Sequence, residues 1–278
     1  MTITSRTTAA PGGPAPSAAR RGRLRGLVWT VLRPHRSALL VWGAYVLVMA
    51  GWMLWLRIVT LDRIRADFVS CRKNGGCIDL ESVMTYDTSM SMIGTLVSYL
   101  CYGVAAWAGA SLTGRELEQG TARLAWTQSV TPTRWLAVRL TVPATVLVLG
   151  TTVLVLVYRS AWGTDRSIMG DEWHYPDPMV NRGPLLVAYA LCALAVGALA
   201  GLALKRALPA LAVALGFMVW FHPYLDRRTD DLWPTSQSFE TAPPSRFWPL
   251  HLMATGVVLT VTALATTAAF WLVRRRAR

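Results

Sequence analysis

The sequence predicts an all-α integral membrane protein: six transmembrane helices, an N-terminal interfacial amphipathic helix, and a short cytoplasmic helix between spans two and three. Three observations carry that reading. Charge is scarce, 15% of 278 residues, where a soluble domain carries about 25%. Apolar residues make up 53%, and the mean hydropathy of +0.37 comes from long uncharged runs rather than a diffuse bias. The 28 basic residues, which set a net charge of +13, fall unevenly around those runs. The same composition excludes collagen-like, disordered and disulfide-framework classes.

Six uncharged stretches are long enough to cross about 30 Å of hydrocarbon: Ala38 to Leu56, Thr88 to Gly114, Leu140 to Tyr158, Gly183 to Leu204, Ala207 to Leu225 and Phe247 to Val273. With their flanks they give spans at about 38–60, 88–114, 136–158, 183–204, 207–225 and 247–273. Only Lys205 and Arg206 separate the fourth from the fifth. Two such charges at mid-membrane would cost roughly 5 to 7 kcal/mol, so they mark a tight hairpin at one surface.

Alternate connections then lie on opposite sides of the bilayer. One side collects seventeen basic residues against two acids, Glu116 and Glu118, and the other eleven basic against thirteen acidic. By the positive-inside rule the basic side is cytoplasmic, and both termini lie there. The high pI is thus a consequence of topology, which makes lipids the expected partners and nucleic acid not one. Trp55, Trp220 and Trp248 fall near the outer boundary and Trp29, Trp135 and Trp271 near the inner one, where aromatic belts form.

Before the first span, residues 1–19 are rich in Ala, Pro, Thr and Gly and read as a disordered cytoplasmic tail. In residues 20–36, Leu24, Leu27, Val28, Val31 and Leu32 recur at helical spacing, with Arg25, Arg33 and Arg36 on the flank and opposite face. That is the pattern of an interfacial helix, ended at Pro34. Residues 37–278 form the six-span domain.

Catalytic chemistry is not expected. The chain has no phosphate-binding Gly-rich loop, no His-Glu-x-x-His pair, no nucleophile elbow and no Cys-x-x-Cys. Asp171, Glu172, His174 and Asp177 form a polar cluster that has metal-ligating groups, but a solvated loop accounts for it better. Met84, Met90 and Met92 read as packing rather than a copper set. Neither a metal nor a resident cofactor is expected in this chain. Mid-span acids and bases of the kind used in proton relays are missing as well.

Cys101 and Cys192 lie within spans and act as small hydrophobes. Cys71 and Cys77 flank Asn74-Gly75-Gly76, a turn that can join both sulfurs outside the cell. So small a loop would contribute about 2 to 2.5 kcal/mol. Small residues recur at four-residue spacing, Gly197 and Gly201 in span four and Ala105, Gly109 and Thr113 in span two, where helices can approach closely.

The connection between spans two and three is the most informative stretch. Gly120 supplies a left-handed cap to the helix leaving span two, Thr121 N-caps a short helix running to about Ser129, and Thr131-Pro132 opens span three. The short helix presents Leu124, Trp126 and Thr127, with Glu116, Glu118 and Arg123 nearby. A cytoplasmic partner pushing on it would move spans two and three.

The run Gly-Arg-Glu-Leu-Glu-Gln-Gly-Thr-Ala-Arg-Leu-Ala-Trp-Thr-Gln-Ser-Val from Gly114 to Val130, followed by Thr133-Arg134-Trp135-Leu136, resembles the loop between spans two and three of bacterial ABC transporter permeases of the type-two exporter class. The hairpin from Gly197 to Ala210 resembles their junction of spans four and five, and the resemblance covers all six spans in order. It implies a non-enzymatic permease subunit in the bacterial plasma membrane. A cytoplasmic ABC ATPase in two copies would carry ATP and magnesium, and a second permease copy or a sister permease would complete the path. It also implies that Leu24 to Leu32 is a connecting helix. By the same resemblance the ATPase-coupling interface comprises Arg115, Glu116, Leu117, Glu118, Gly120, Thr121, Leu124, Trp126, Thr127, Gln128, Arg134 and Trp135. The alternative is a membrane-bound sensor or immunity protein that binds an extracellular ligand without transport. An intramembrane enzyme is disfavoured by the lack of paired acids, His clusters or an activated nucleophile within the spans.

Overall fold

The computed structural model describes residues 36–74, 81–120, 131–164, 176–229 and 244–276. Among these the protein is helical throughout, and six helices are long and apolar enough to cross a membrane. They cover Arg36–Cys71, Glu81–Gly114, Pro132–Trp162, Pro184–Leu204, Ala207–Arg227 and Phe247–Arg276. The first three outrun the uncharged stretches that identify them. Span one continues through a π-helical turn, Leu56–Thr60, into Leu61–Asn74, and span two begins at Glu81. A helix satisfies its own backbone in water as well as in lipid, so hydropathy marks where the bilayer stops, not where the helix does. The interfacial helix expected at Leu24 to Leu32 lies outside the described residues.

Span four is the centre of the bundle: 78% of its apolar window is buried, against 22% for spans one and six. It packs on all of spans two, three, five and six. Its composition explains the position. Ala188, Ala190, Ala193, Gly197, Ala198 and Gly201 are all buried, and small side chains let neighbouring backbones come close. A Cβ on Gly197 would sit 2.8 Å from the backbone nitrogen of Gly109, and one on Gly109 would sit 2.7 Å from the Ala210 carbonyl oxygen. The four-residue spacing of small residues therefore marks a real contact, with span two between spans four and five.

In that contact span two changes geometry. Residues Ala108–Gly114 form a second π-helical segment, mostly buried, before a last α-helical turn at Arg115–Glu118. Spans four and five are joined as the basic pair requires. Lys205 takes a left-handed conformation, φ 56°, and its N–H closes on the Gly201 carbonyl.

At the end of the bundle away from this hairpin, a short helix, Pro176–Asn181, is folded into the core. Asp177 accepts hydrogen bonds from Thr95 Oγ1 at 2.9 Å and Ser98 Oγ at 3.2 Å, and Asn181 Nδ2 donates to the Gly94 carbonyl at 2.9 Å. His251, fully buried, closes the same latch. Its Nδ1 lies 2.9 Å from the Met179 carbonyl, and its Nε2 accepts the Leu185 N–H at 3.2 Å. A carbonyl on one side and an N–H on the other require the tautomer protonated on Nδ1. The imidazole thus serves an orphan donor of the first turn of span four, whose cap residue, Gly183, has no side chain to do so.

Candidate coupling site at the basic end

The basic end of the bundle gathers the stems of the connection between spans two and three, the hairpin at Lys205 and Arg206, and the end of span six. Its polar side chains satisfy backbone groups of neighbouring helices. Glu118 Oε2 accepts the Ala207 N–H at 3.1 Å, at the first turn of span five. Thr113 Oγ1 donates to the Ala198 carbonyl at 3.1 Å. Arg276 donates to the carbonyls of Leu202 and Ala203 at the last turn of span four. These are favourable placements for charge, an acid at a helix N-terminus and a base at a C-terminus.

Arg139 reaches deepest. It lies two turns into span three and is only 8% exposed. Its Nη1 donates to the Leu112 carbonyl of the π-helical segment at 2.9 Å, and its guanidinium lies 4.9 Å from the Trp135 ring centre. The sequence places Arg139 among the basic residues of the inner side, near the start of span three. The helix opens at Pro132, as Thr131-Pro132 predicts, which puts Arg139 inside it, and the Thr131 carbonyl accepts the Trp135 N–H there.

The residues expected at the coupling interface divide into three groups. Arg115, Glu118, Gly120 and Arg134 are exposed, and Leu117 is half-buried. Gly120 has φ +72°, the left-handed conformation that a helix cap needs. Trp135 is in the core, 6% exposed. Packed under Arg139, it anchors the stem of span three and does not belong to an aromatic belt, unlike Trp55, Trp220, Trp248 and Trp271, which are exposed. Thr121, Leu124, Trp126, Thr127 and Gln128 lie outside the described residues, as does the Glu116 side chain.

The other sequence candidates do not converge on a site. Of the polar cluster, Asp171, Glu172 and His174 lie outside the described residues, and Asp177 belongs to the latch on Thr95 and Ser98. Burial raises the Asp177 carboxyl above its ordinary 3.8, partly offset by those two hydroxyl donors. Among the described residues no three His, Cys, Asp or Glu side chains come together as a metal site. Met90 is buried while Met84 and Met92 are exposed. Cys101 and Cys192 are fully buried, as small hydrophobes should be. Cys77 lies outside the described residues, so its pairing with Cys71 is not described either. Two buried histidines escaped sequence reasoning: His251 in the latch, and His222 in span five. His222 is set among the rings of Tyr99, Tyr102 and Tyr189 at centroid distances of 5.8, 5.8 and 4.6 Å.

A groove of about 440 Å³ runs between spans one, two and three. Trp42 and Tyr45 of span one line it, and each is held by its polar tip: Trp42 Nε1 donates to the Val146 carbonyl at 3.3 Å and Tyr45 Oη to the Leu96 carbonyl at 2.9 Å. The walls are otherwise apolar and suit acyl chains rather than a polar reactant.

A family model described as ABC-2 membrane transporter related matches residues 43–227, two-thirds of the chain. No curated protein and no solved structure matches.

Proposed function

This chain belongs to the ABC-2 membrane transporter related family, and from that premise we propose that it is the permease through which a separate cytoplasmic ATPase drives export across a bacterial plasma membrane. Membership makes it a multi-pass membrane subunit of an ABC transporter, not itself the catalyst. In the fuller reading the ATPase is present in two copies and holds the ATP and magnesium. A second permease, identical or a sister chain, completes the path, and the basic end with both termini faces the cytoplasm.

The observation that supports this reading best is the framing of residues 119–131. Both stems of that connection are built into the bundle, one through Glu118 on span five and the other through Arg139 on span two. A force on the connection therefore has two separate routes into the membrane helices. The expected contact surface is the segment around Leu124, Trp126 and Thr127, together with Arg115, Glu116, Leu117, Gly120, Thr121, Gln128 and Arg134.

Co-purification tests it. Trp126→Ala removes an aromatic anchor of the kind that dominates interfaces, and association with the ATPase should weaken by roughly 1 to 3 kcal/mol, about 5- to 150-fold. Thr164→Ala, at the opposite end of span three, should leave association unchanged. Glu118→Arg should weaken association too, but it also uncaps span five, so Trp126→Ala is the cleaner probe. If tagged permease isolated from its native membrane brings down no ATPase, the reading fails and a ligand-binding sensor without transport takes its place.

A further inference from the structure

We infer that Arg139 is a positioning residue which locks span three to the π-helical segment of span two, so that movement of the connection between them is delivered to spans three and five together. The inference rests on the reading of residues 119–131 as the coupling segment.

Leu112, whose carbonyl Arg139 engages, lies in the segment where the backbone of span two comes close to spans four and five. Gly109 and Gly114 in the same segment leave no room for a Cβ: one on Gly109 would be 2.7 Å from the Ala210 carbonyl oxygen, and one on Gly114 would be 2.8 Å from the Gly109 carbonyl oxygen and tight against Ala207 Cα at 3.2 Å. Thr113 adds its hydrogen bond to Ala198, and Glu118, one turn on, holds Ala207. Anything that displaces this segment displaces the start of span five. π-Helical turns inside α-helices are rare and concentrate at functional sites and hinges. This one lies between the membrane core and the connection.

The side chain chosen to hold it is the telling feature. A carbonyl in this position could be served by a serine or threonine, as Thr113 serves Ala198. An arginine at 8% exposure carries a desolvation cost that an apolar residue of similar volume would not, and a buried charge of this kind is a weak means of gaining stability. What arginine adds is reach and a rigid, always-charged fork. From span three it crosses to span two while its guanidinium rests on Trp135 of its own helix. Arg139 thus joins the outgoing stem of the connection to the incoming one, and Glu118 joins the incoming stem to span five. Residues 119–131 are closed into a loop whose base is a single clamped unit.

The test is a distance measurement on the permease with the ATPase that co-purifies with it. Cysteines placed in pairs at exposed positions carry spin labels, Leu156 in span three with Leu264 in span six, and Val219 in span five with Leu264. Cys71 and Cys77 are replaced by serine, and Cys101 and Cys192 are fully buried. Pulsed electron resonance then compares the nucleotide-free complex with one holding a non-hydrolysable ATP analogue. The wild-type clamp should show a nucleotide-dependent shift of spans three and five alike. Arg139→Leu should retain the ATPase and lose the shift, and Arg139→Lys, which restores a donor without the fork, should recover part of it. If Arg139→Leu fails to fold, the lysine variant must still show a reduced shift. A merely structural role would lower the melting temperature and leave the shift intact. A wild-type-sized shift in Arg139→Leu overturns the clamp while leaving the coupling reading standing, and so does a wild-type complex that holds its ATPase but does not respond to nucleotide. A wild-type permease that binds no ATPase overturns both.

Discussion

Asp177 shows how much a single side chain can change its meaning between sequence and structure. In sequence it is one of several acids in a polar run. In the fold it is half-buried against span two, with Thr95 and Ser98 donating to it. Burial favours the neutral carboxyl, so the folded protein binds this proton more tightly than the unfolded chain does. Stability from that proton is fully present below the ordinary carboxylate value and is lost as pH rises through the raised one. Tyr158 of span three and Arg182 beside the latch are the charged or titratable neighbours, with His251 of span six facing Arg182. The Asp177→Asn variant keeps an acceptor for one hydroxyl, turns an amide donor toward the oxygen of the other, and has no proton to lose. Its amide-exchange protection over Met179 to Asn181 should be flat with pH, whereas the wild-type latch should tighten as the medium turns acidic. Equal pH dependence in the two proteins would remove the carboxyl from the account.

Among the elements, the contact between span two and spans four and five is where packing is least forgiving. The atoms nearest a Cβ on Gly109 are backbone atoms of Ala210 and Leu211, which cannot rotate aside as a side chain can. Overpacking of this kind costs typically 1–3 kcal/mol. Gly109→Val should therefore lower the melting temperature of the detergent-purified protein, while Gly103→Val, on the same helix with open space around it, should leave it nearly unchanged. Equal tolerance at both sites would mean that spans two and five do not touch as described. The small-residue spacing was visible in the sequence, but so are other glycines. Gly43, Gly51, Gly216 and Gly256 also lie in spans, and among the described residues no atom comes within 4 Å of a Cβ built on them. Spacing alone could not separate the two kinds, because a close approach is a property of two helices and a sequence pattern belongs to one.

For the molecule as a whole, orientation is the property with the widest consequences. The bundle puts Glu118, Lys205 and Arg276 at one end and Asp177 at the other. Charge asymmetry predicts that the first of these ends is the cytoplasmic one. Reporter fusions at Gly75, Asp171 and Asp230 should read external, and those at Gln119, Lys205 and the C-terminus internal. One site reading the wrong way would break the six-span topology and, with it, the access of any cytoplasmic ATPase to residues 119–131.

The number of spans, their order, the basic pair that turns span four into span five and the cap at Gly120 were all legible from residue type and spacing. Each depends on hydropathy, charge or backbone conformation within a few consecutive residues, and the bilayer turns those local properties into topology. The partners of Arg139, Glu118, Asp177 and His251 were not legible. Each engages a group on a different helix, between 27 and 89 residues away, and several of those groups are main-chain amides or carbonyls that every residue carries. Pairing of that kind leaves no trace in the type of either residue. It is decided only when the helices pack, which is why Arg139 reads as one more basic residue near the inner end of span three in the sequence and as the partner of the Leu112 carbonyl in the fold.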